Sequence, residues 1–309
     1  MKTAFLFPGQ GSQALGMGSD LYLSNSRYRE AFDRCEAGAG IDLKAACFKG
    51  EGMDESSVIQ AAIFTHSLAA LRALEAEGAR ADVFAGLSLG EYTALSAAGV
   101  LMDAQGASLV RRRGAVMDGA VPPGTGGMLS VVGLTLEQVE AVIAAFDNVF
   151  IANHLSETQI TLGGLLGELE AAKPALEAAG ARMAVMLAMK GPSHCPLLNQ
   201  AAERFAGELA GEIFGEPCGA VYSNALGAPY PKNADYRALL CAQMNTRVRW
   251  HDCVESMLSI GVTRFVEIGP GGVLVKMLKR RVGKEISLFS VQDEASMEAF
   301  LRAEKEGSA

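Results

Sequence analysis

Histidine and basic residues are scarce in this sequence of 309 residues, which has four histidines and 27 lysines and arginines against 35 aspartates and glutamates. The formal net charge of −8 argues against nucleic-acid binding, because neutralising phosphates requires a local excess of positive charge. The six cysteines are scattered and form no C-x-x-C pair, which argues against both a zinc site and a disulfide framework. We expect reduced, mostly buried thiols, as in a cytoplasmic protein.

Long apolar runs are scarce too. No stretch approaches the length of a membrane span. The N-terminal run Thr3–Phe7 stops at Pro8, too early for the apolar region of a signal peptide. We therefore expect no membrane association. Half of the residues are hydrophobic, which is enough for one large domain or two moderate ones.

Short apolar runs alternate with amphipathic segments over most of the chain. The strand-like run Thr3–Phe7 precedes the glycine-rich loop Pro8–Gln13, and a helical pattern at 61–77 precedes a second strand-like run near Val83. This alternation predicts an α/β fold with a parallel sheet, whose ligands lie at the carboxyl ends of the strands. The loop is not a G-x-G-x-x-G fingerprint, because Ala14 stands at the third glycine position, and no Walker lysine follows.

A proline- and glycine-rich stretch, Pro122–Gly127, marks the best domain boundary. Between residues 124 and 189 the pattern predicts strand, helix, two strands, helix and strand, which is the ferredoxin-like βαββαβ arrangement. We interpret 124–189 as a small domain inserted into a larger one formed by 1–123 and 190–309.

The pattern G-x-S-x-G occurs once between a strand-like and a helix-like stretch, with Gly86, Ser88 and Gly90 at its fixed positions. This context is typical of a nucleophile elbow, a sharp turn that raises a serine above the sheet at a helix N-terminus. The glycines are needed because the turn is crowded. The backbone N–H of Leu89 could then stabilise an oxyanion. The alternative is a glycine turn whose serine only caps the helix.

A serine nucleophile usually needs a histidine base, and the four histidines have different settings. His66 falls within an apolar helix and is expected to pack there, His154 lies at a strand end, and His251 lies at a helix start. His194 stands in the stiff loop Gly-Pro-Ser-His-Cys-Pro and follows the serine in chain order, as in α/β-hydrolases. We favour His194, the alternative being a structural loop histidine. No carboxylate stands out as the third member of a triad.

Three consecutive arginines fall in a predicted helix at 103–118. The apolar stripe of that helix comprises Leu109, Val110, Val116 and Met117. Arg113 lies three or four residues from each of them and faces the interior, whereas Arg111 points away and Arg112 lies at the margin. An inward arginine favours a bound carboxylate, because the guanidinium fork pairs bidentately. The alternative is a buried structural ion pair.

These features occur together, and in order, in a known family. The matching segments are Phe7–Gln13, Gly86–Tyr92, Arg113–Gly114, Gly124–Met128, Pro192–Cys195, Val248–Trp250 and Glu267–Gly271. Over essentially the whole chain they resemble the bacterial malonyl-CoA:acyl-carrier-protein transacylases and the related acyltransferase domains of polyketide synthases. The resemblance implies an α/β-hydrolase-like large domain with a parallel sheet and an inserted ferredoxin-like small domain.

The resemblance also implies a role for each matching residue. Ser88 corresponds to the nucleophile and His194 to the base. The backbone N–H groups of Gln10 and Leu89 correspond to the oxyanion hole. Arg113 corresponds to the residue that binds the free carboxylate of the malonyl group.

Three further residues match with a supporting role. Gln243 corresponds to the residue whose main-chain carbonyl orients the histidine, and Gln60 and Asn153 to positions that line the pocket. The sequence departs from the family at two points. Leu87 precedes the nucleophile where many members have histidine, and Asn245–Val248 reads Asn-Thr-Arg-Val instead of Asn-x-Pro-Val.

The implied reaction is ping-pong transfer of malonyl from malonyl-CoA to holo acyl carrier protein for fatty-acid elongation, with no metal and no bound cofactor. The alternatives are a trans-acting polyketide synthase acyltransferase, a serine thioesterase or hydrolase on a related fold, and a non-catalytic carrier-binding scaffold. Because such carriers are acidic, docking would use a local basic patch, unless these residues form an ordinary solvated face. The residues considered for it are Arg111, Lys190, Lys276, Lys279, Arg280, Arg281 and Lys284.

Overall fold

The computed structural model describes residues 2–307, which fall into two compact units. The first unit comprises the chain up to Gly114, Ile213–Tyr222 and the chain from Ser256 onward, and the second comprises Ala115–Glu212 and Ser223–Glu255.

The elements follow one another from β1 to α12. Up to residue 124 they are β1 (Lys2–Phe7), α1 (Ser19–Ser24), α2 (Ser26–Ala39), a π-helical turn (Ala45–Lys49), α3 (Ser56–Ala76), β2 (Val83–Gly86), α4 (Leu89–Ala97) and α5 (Asp103–Asp118). Up to residue 190 they are β3 (Gly126–Val132), α6 (Leu136–Ile143), β4 (Val149–Ser156), β5 (Gln159–Leu165), α7 (Leu166–Ala178) and β6 (Met183–Met186). The others are a 3₁₀ turn (Pro196–Leu198), α8 (Asn199–Leu209), β7 (Ala220–Ser223), β8 (Ala228–Pro229), α9 (Tyr236–Asn245), α10 (Trp250–Ser259), β9 (Val262–Ile268), α11 (Val273–Leu278), β10 (Ser287–Val291) and α12 (Glu294–Gly307).

In the first unit, five strands follow the order β10-β9-β1-β2-β7, and their pairings are parallel. The central strand β1 is buried over its whole apolar run, as expected for a strand of a parallel sheet that is covered on both faces. The predicted α/β class with a parallel sheet is therefore confirmed. The register pairs Phe7 with Gly86, so the loop Pro8–Gln13 and the turn after β2 leave the sheet at the same edge.

The longest helix, α3, corrects one expectation from the sequence. It has 21 residues and is apolar enough to cross a membrane by length and composition alone, although no stretch was expected to reach that length. In the fold, 83% of its most apolar window is buried, and the helix packs between α2 and α4. This burial is typical of a core helix.

In the second unit, four antiparallel strands form a sheet in the order β4-β5-β3-β6. The chain order β3-α6-β4-β5-α7-β6 is the order of elements predicted for residues 124–189. The two helices cover one face of the sheet, where Leu129, Ile160, Val139 and Leu169 belong to one buried cluster. A capping box of Thr135 and Gln138 starts α6.

The second unit is larger than the predicted insertion. It also holds 115–123, 190–212 and 223–255, which the sequence analysis assigns to the large domain. These segments join it because α8 packs on α9 and because Val248 pairs with β4. The bounds 124–189 for a separate inserted domain stay a prediction.

The sequence departs from the family pattern at Asn245–Val248, and this segment forms backbone hydrogen bonds with β4. Val248 donates its N–H to the oxygen of Ala152 (2.8 Å) and accepts from the N–H of His154 (2.9 Å). Arg247, in the place of the family's proline, forms an ion pair with Glu140 at 3.2 Å. The local path is therefore held by backbone pairing, with the added charge compensated.

Candidate active site

Ser88 occupies the turn between β2 and α4 and is partly exposed. Its backbone has φ 55° and ψ −105°, a left-handed conformation that is strained for a residue with a side chain. A Cβ on Gly86 would lie 2.0 Å from backbone atoms of Gly90, and one on Gly90 would lie 2.0 Å from the oxygen of Phe7. The expectation that this turn has room only for glycine at these two positions is confirmed.

Two backbone segments flank the serine at this edge of the sheet. Leu89 is the first residue of α4, so its N–H has no acceptor within the helix. Gln10 lies in the loop after β1, where Ser12 donates from its hydroxyl to the oxygen of Gly9 at 2.7 Å. Gly9 itself packs so closely that an added Cβ would lie 2.6 Å from the oxygen of Leu87. The loop after β1 and the elbow therefore pack directly against each other. An oxyanion hole formed by Gln10 and Leu89 remains a prediction.

Arg113 is wholly buried, with 0% of its surface exposed, whereas Arg111 is exposed and Arg112 is intermediate. The predicted orientation of the three arginines is therefore confirmed. Arg113 donates from one terminal nitrogen to Oε1 of Gln60 (2.8 Å) and from the other to Oγ of Ser88 (3.2 Å). Burial lowers the pKa of its guanidinium, but arginine is the cation that best keeps its charge under such conditions.

The guanidinium of Arg113 also has an aromatic neighbour. Its carbon lies 5.2 Å from the centre of the Tyr92 ring, within the range of a cation–π interaction. Tyr92 and Glu91 follow the elbow on α4, and both are fully buried. The helix that carries the elbow therefore also supports the arginine.

Gln60 connects Arg113 to the loop that carries Gln10. The Gln60 amide nitrogen lies 3.2 Å from Oε1 of Gln10, and the Gln10 amide nitrogen lies 3.1 Å from Oγ of Ser56. Sequence reasoning missed Ser56, because nothing in the local sequence indicates a contact across 46 positions. Gly114 allows α5 to approach the start of α3 closely, since a Cβ there would lie 2.5 Å from the backbone of Ser56.

His194 lies in the second unit and is 2% exposed. Its Nδ1 is 2.6 Å from the main-chain oxygen of Gln243, the contact that the family resemblance implies. Gln243 stands in the last turn of α9, where carbonyl oxygens lack a partner within the helix and can accept from a side chain. Because a carbonyl only accepts, Nδ1 carries the proton and Nε2 of the neutral ring is the basic nitrogen.

The loop around His194 is held in an unusual conformation. His194 has φ 55° and, with Ser88 and Asn233, is one of three non-glycine residues with positive φ in the part of the chain that the structure describes. Gly163 of β5 lets this loop approach the sheet, since a Cβ there would lie 2.9 Å from the oxygen of Ser193. Asn153, on the neighbouring β4, is partly exposed, and its place in a substrate pocket stays a prediction.

The other histidines have different surroundings. His66 is fully buried, as expected from its apolar helix, and its Nδ1 lies 2.7 Å from the hydroxyl of Tyr28. Burial lowers the pKa of His66 to about 4, so the ring is neutral near pH 7. The rings of His154 and His251 lie 4.7 Å apart within the second unit.

The cysteines are mostly buried, as expected: Cys35, Cys47, Cys195 and Cys253 are buried, and all six are free thiols. Burial raises the pKa of Cys35 and Cys47 to about 12 and that of Cys195 to about 11. Among residues 2–307, no cluster of three or more His, Cys, Asp or Glu side chains could hold a metal ion.

Five of the basic residues considered for carrier docking lie together in the first unit, at α11 and just after it, and all five are exposed. They are Lys276, Lys279, Arg280, Arg281 and Lys284. Arg111, on α5 of the same unit, donates to the oxygen of Ala39 at 3.0 Å. Lys190 is an exposed residue of the second unit.

Comparison with known proteins gives a consistent result. Residues 4–301 match the family described as "Acyl transferase domain". The malonyl CoA-acyl carrier protein transacylase of Bacillus subtilis (strain 168) is 34% identical over 311 residues, covering 99% of this chain and 98% of the relative. The crystal structure of malonyl CoA-acyl carrier protein transacylase from Clostridium perfringens ATCC 13124 superposes with a TM-score of 0.95 at 35% identity, covering 100% of this chain and 98% of the other. A malonyl-transacylase solved in complex with its type II PKS acyl-carrier protein has a TM-score of 0.93 at 36% identity, with 98% and 100% coverage.

Proposed function

This chain belongs to the acyl transferase family, and on that premise we propose that it moves a malonyl group from malonyl-CoA to the phosphopantetheine thiol of acyl carrier protein. The observation that carries the proposal is the buried guanidinium of Arg113, 3.2 Å from the Ser88 hydroxyl. A buried cation is costly to maintain. An acyl group that ends in a free carboxylate can pair with this guanidinium beside the nucleophile, whereas a general thioesterase has no need of such a cation.

The first half-reaction loads the serine. His194, with Nδ1 held by the carbonyl of Gln243, takes the proton of Ser88 through Nε2 as Oγ attacks the thioester carbonyl. The oxyanion accepts from the N–H groups of Gln10 and Leu89, and donors of this kind typically contribute about 10²–10³-fold each. The tetrahedral intermediate expels the sulfur of CoA, which receives the proton from His194, and malonyl-serine remains.

The second half-reaction transfers the malonyl group from Ser88 to the carrier. The phosphopantetheine thiol of the carrier gives its proton to His194 and attacks the ester carbonyl of malonyl-Ser88. Ser88 leaves as the alcohol with that proton, and malonyl-carrier is released. A covalent intermediate between two substrates gives ping-pong kinetics.

Acyl choice resides mainly in Arg113, whose two terminal nitrogens match the two oxygens of a carboxylate. Gln60 and Asn153 line the pocket in this proposal. Leu87 gives the substrate an apolar neighbour where many family members have histidine.

For the finer fold, the proposal is an α/β-hydrolase-like large domain with a ferredoxin-like insertion at 124–189. The parallel sheet with an elbow after β2 supports the first assignment. The βαββαβ order with antiparallel strands ordered β4-β5-β3-β6 supports the second. A cytoplasmic location and a reaction without a bound cofactor belong to the same proposal.

Carrier docking is assigned to the basic residues at α11. Acyl carrier proteins of this kind are acidic and this chain has a net charge of −8, so association needs a local surface of opposite sign. The five exposed cations at α11 supply one within a short stretch of chain.

The test is incubation with malonyl-CoA and holo acyl carrier protein, followed by mass spectrometry of the carrier and of the peptide that bears Ser88. We expect malonyl-carrier and a malonyl adduct on Ser88. Free malonate without malonyl-carrier would indicate a thioesterase, and an unmodified Ser88 peptide would indicate a scaffold. Arg113→Ala should lower malonyl transfer far more than acetyl transfer, and equal losses would show that Arg113 is structural.

A second candidate is the same reaction on a polyketide carrier, favoured by the structural similarity to a transacylase bound to its type II PKS acyl-carrier protein. Parallel assays with a fatty-acid carrier and a polyketide carrier distinguish the two. The carrier with the higher kcat/KM identifies the pathway.

A further inference from the structure

Four side chains of the first unit form one hydrogen-bonded row that ends at the nucleophile. The row runs from Ser56 through Gln10 and Gln60 to Arg113, with donor–acceptor distances of 3.1, 3.2 and 2.8 Å, and Arg113 then reaches Ser88 at 3.2 Å. Gln60 and Arg113 are essentially inaccessible to solvent, and Ser56 is 9% exposed. Three separate segments of the chain therefore meet in one polar row inside the protein.

The direction of this row is dictated by its charged end. Arginine has only donors, so Gln60 must turn its oxygen toward Arg113 and its NH₂ group toward Gln10. Gln10 must then present its own oxygen to Gln60 and its NH₂ group to Ser56. The hydroxyl oxygen of Ser56 is the acceptor that completes the row.

We propose that Ser56 and the side-chain amide of Gln10 are positioning residues that fix the orientation of Gln60 and thereby aim Arg113 at the malonyl carboxylate. This inference rests on the proposed function. It gives Gln10 two separate tasks, since the backbone N–H serves the oxyanion and the side chain serves the specificity arginine. Selection of the acyl group and stabilisation of the oxyanion then share one loop.

The backbone of that loop does not depend on the row. Ser12 donates to the oxygen of Gly9 from its hydroxyl (2.7 Å), and the Gly11 N–H donates to the Gln13 side chain (2.8 Å). Loss of the Ser56 hydroxyl should therefore free the side-chain amides of Gln10 and Gln60 to rotate, while the backbone of the loop stays in place. The loss of activity should then be confined to substrates that bind Arg113.

The test compares Ser56→Ala with Ser57→Ala, its partly exposed neighbour, using malonyl-CoA and acetyl-CoA as donors for loading of Ser88. Ser56→Ala should lower kcat/KM for malonyl-CoA by about threefold to tenfold, the value of one buried hydrogen bond, mainly through KM. Acetyl loading and the Ser57→Ala variant should be unchanged. Combined with Arg113→Ala, Ser56→Ala should add no further loss, because the two changes act on one path.

Equal losses for the two acyl groups, or additive losses in the double variant, would overturn the inference. If Ser56→Ala does not fold, Ser56→Cys keeps the size of the side chain, replaces the acceptor oxygen with a weakly accepting sulfur and carries the same expectations. Failure of the proposed function is distinguishable, since the unaltered protein would then form no malonyl-Ser88. An active enzyme whose malonyl-to-acetyl ratio is unchanged in both variants would overturn the positioning role alone.

Discussion

The main-chain oxygen of Gln243 lies 2.6 Å from Nδ1 of His194. In the proposed mechanism, this backbone carbonyl at the end of α9 orients the histidine in the place of the carboxylate of a triad. A carbonyl fixes the tautomer as a carboxylate does, but it adds no negative charge beside an imidazolium. This explains why no acidic partner could be identified in the sequence.

Because the acceptor is a main-chain oxygen that alanine also has, the Gln243→Ala protein should remain active. We expect a loss in kcat of less than about tenfold, against the roughly 10⁴-fold cost of replacing the carboxylate in a Ser-His-Asp triad. The measurement is kcat for malonyl transfer, with the melting temperature recorded because the side chain is buried. His194→Ala serves as the matched control and should lose several orders of magnitude. A 10³-fold loss in a folded Gln243→Ala protein would show that the side chain acts directly.

A glycine at the crowded elbow and a glycine in an open helix should respond in opposite ways to replacement by alanine. Gly90→Ala would place a Cβ 2.0 Å from the oxygen of Phe7, so we expect misfolding or a severe drop in melting temperature. Gly167→Ala, in α7 with no neighbouring atom within 4 Å, should stabilise by up to about 1 kcal/mol through helix propensity. Thermal unfolding of both variants tests the contrast, and a normally folded, active Gly90→Ala protein would contradict it.

The strained backbone of Ser88 predicts that the nucleophile is held at a cost in folding stability. Ser88→Gly and Ser88→Ala both remove the nucleophile and should abolish malonyl loading. Only glycine relieves the positive φ, so Ser88→Gly should be more stable than Ser88→Ala by about 1 kcal/mol. In a chain of this size that corresponds to a few degrees in melting temperature. Equal melting temperatures would mean that the turn is unstrained.

His66 predicts a loss of stability in mild acid. Its pKa is lowered from 6.5 to about 4 by burial, so the unfolded state binds more protons between these values. The contribution of neutral His66 to the free energy of unfolding is complete above about pH 6.5. It falls as the pH drops toward 4, by a total of about 3 kcal/mol. Melting temperatures at pH 7.5 and 5 should differ more for the unaltered protein than for His66→Gln, whose side chain can still accept from Tyr28. Identical pH dependence in the two proteins would show that His66 is not the responsible group.

Local features of the site could be predicted from the sequence. The elbow is specified by five adjacent residues and the strand before them, and the inward direction of Arg113 follows from helical spacing alone. The loop conformation of His194 follows from its flanking proline and glycine. Each of these signals lies within about one turn or one loop of the residue concerned.

What could not be predicted depends on contacts between distant segments. No sequence signal links Ser56 to Gln10, and Val248 pairs with β4 through backbone atoms that every residue except proline possesses. The helices α1, α2, α9 and α12 are not among the predicted elements. The extent of the second unit depends on which surfaces pack together, and the bounds 124–189 of an inserted domain stay a prediction.

The close approach at Gly114 has an evolutionary consequence. The backbone of α5 touches that of Ser56 there, and a Cβ would lie 2.5 Å from it, so any larger residue would push α5 outward together with the adjacent Arg113. A single change at Gly114 would thus lengthen the distance between the guanidinium and Ser88. If Arg113 binds the acyl carboxylate as proposed, acyl preference then depends on helix spacing as well as on the identity of the binding residues.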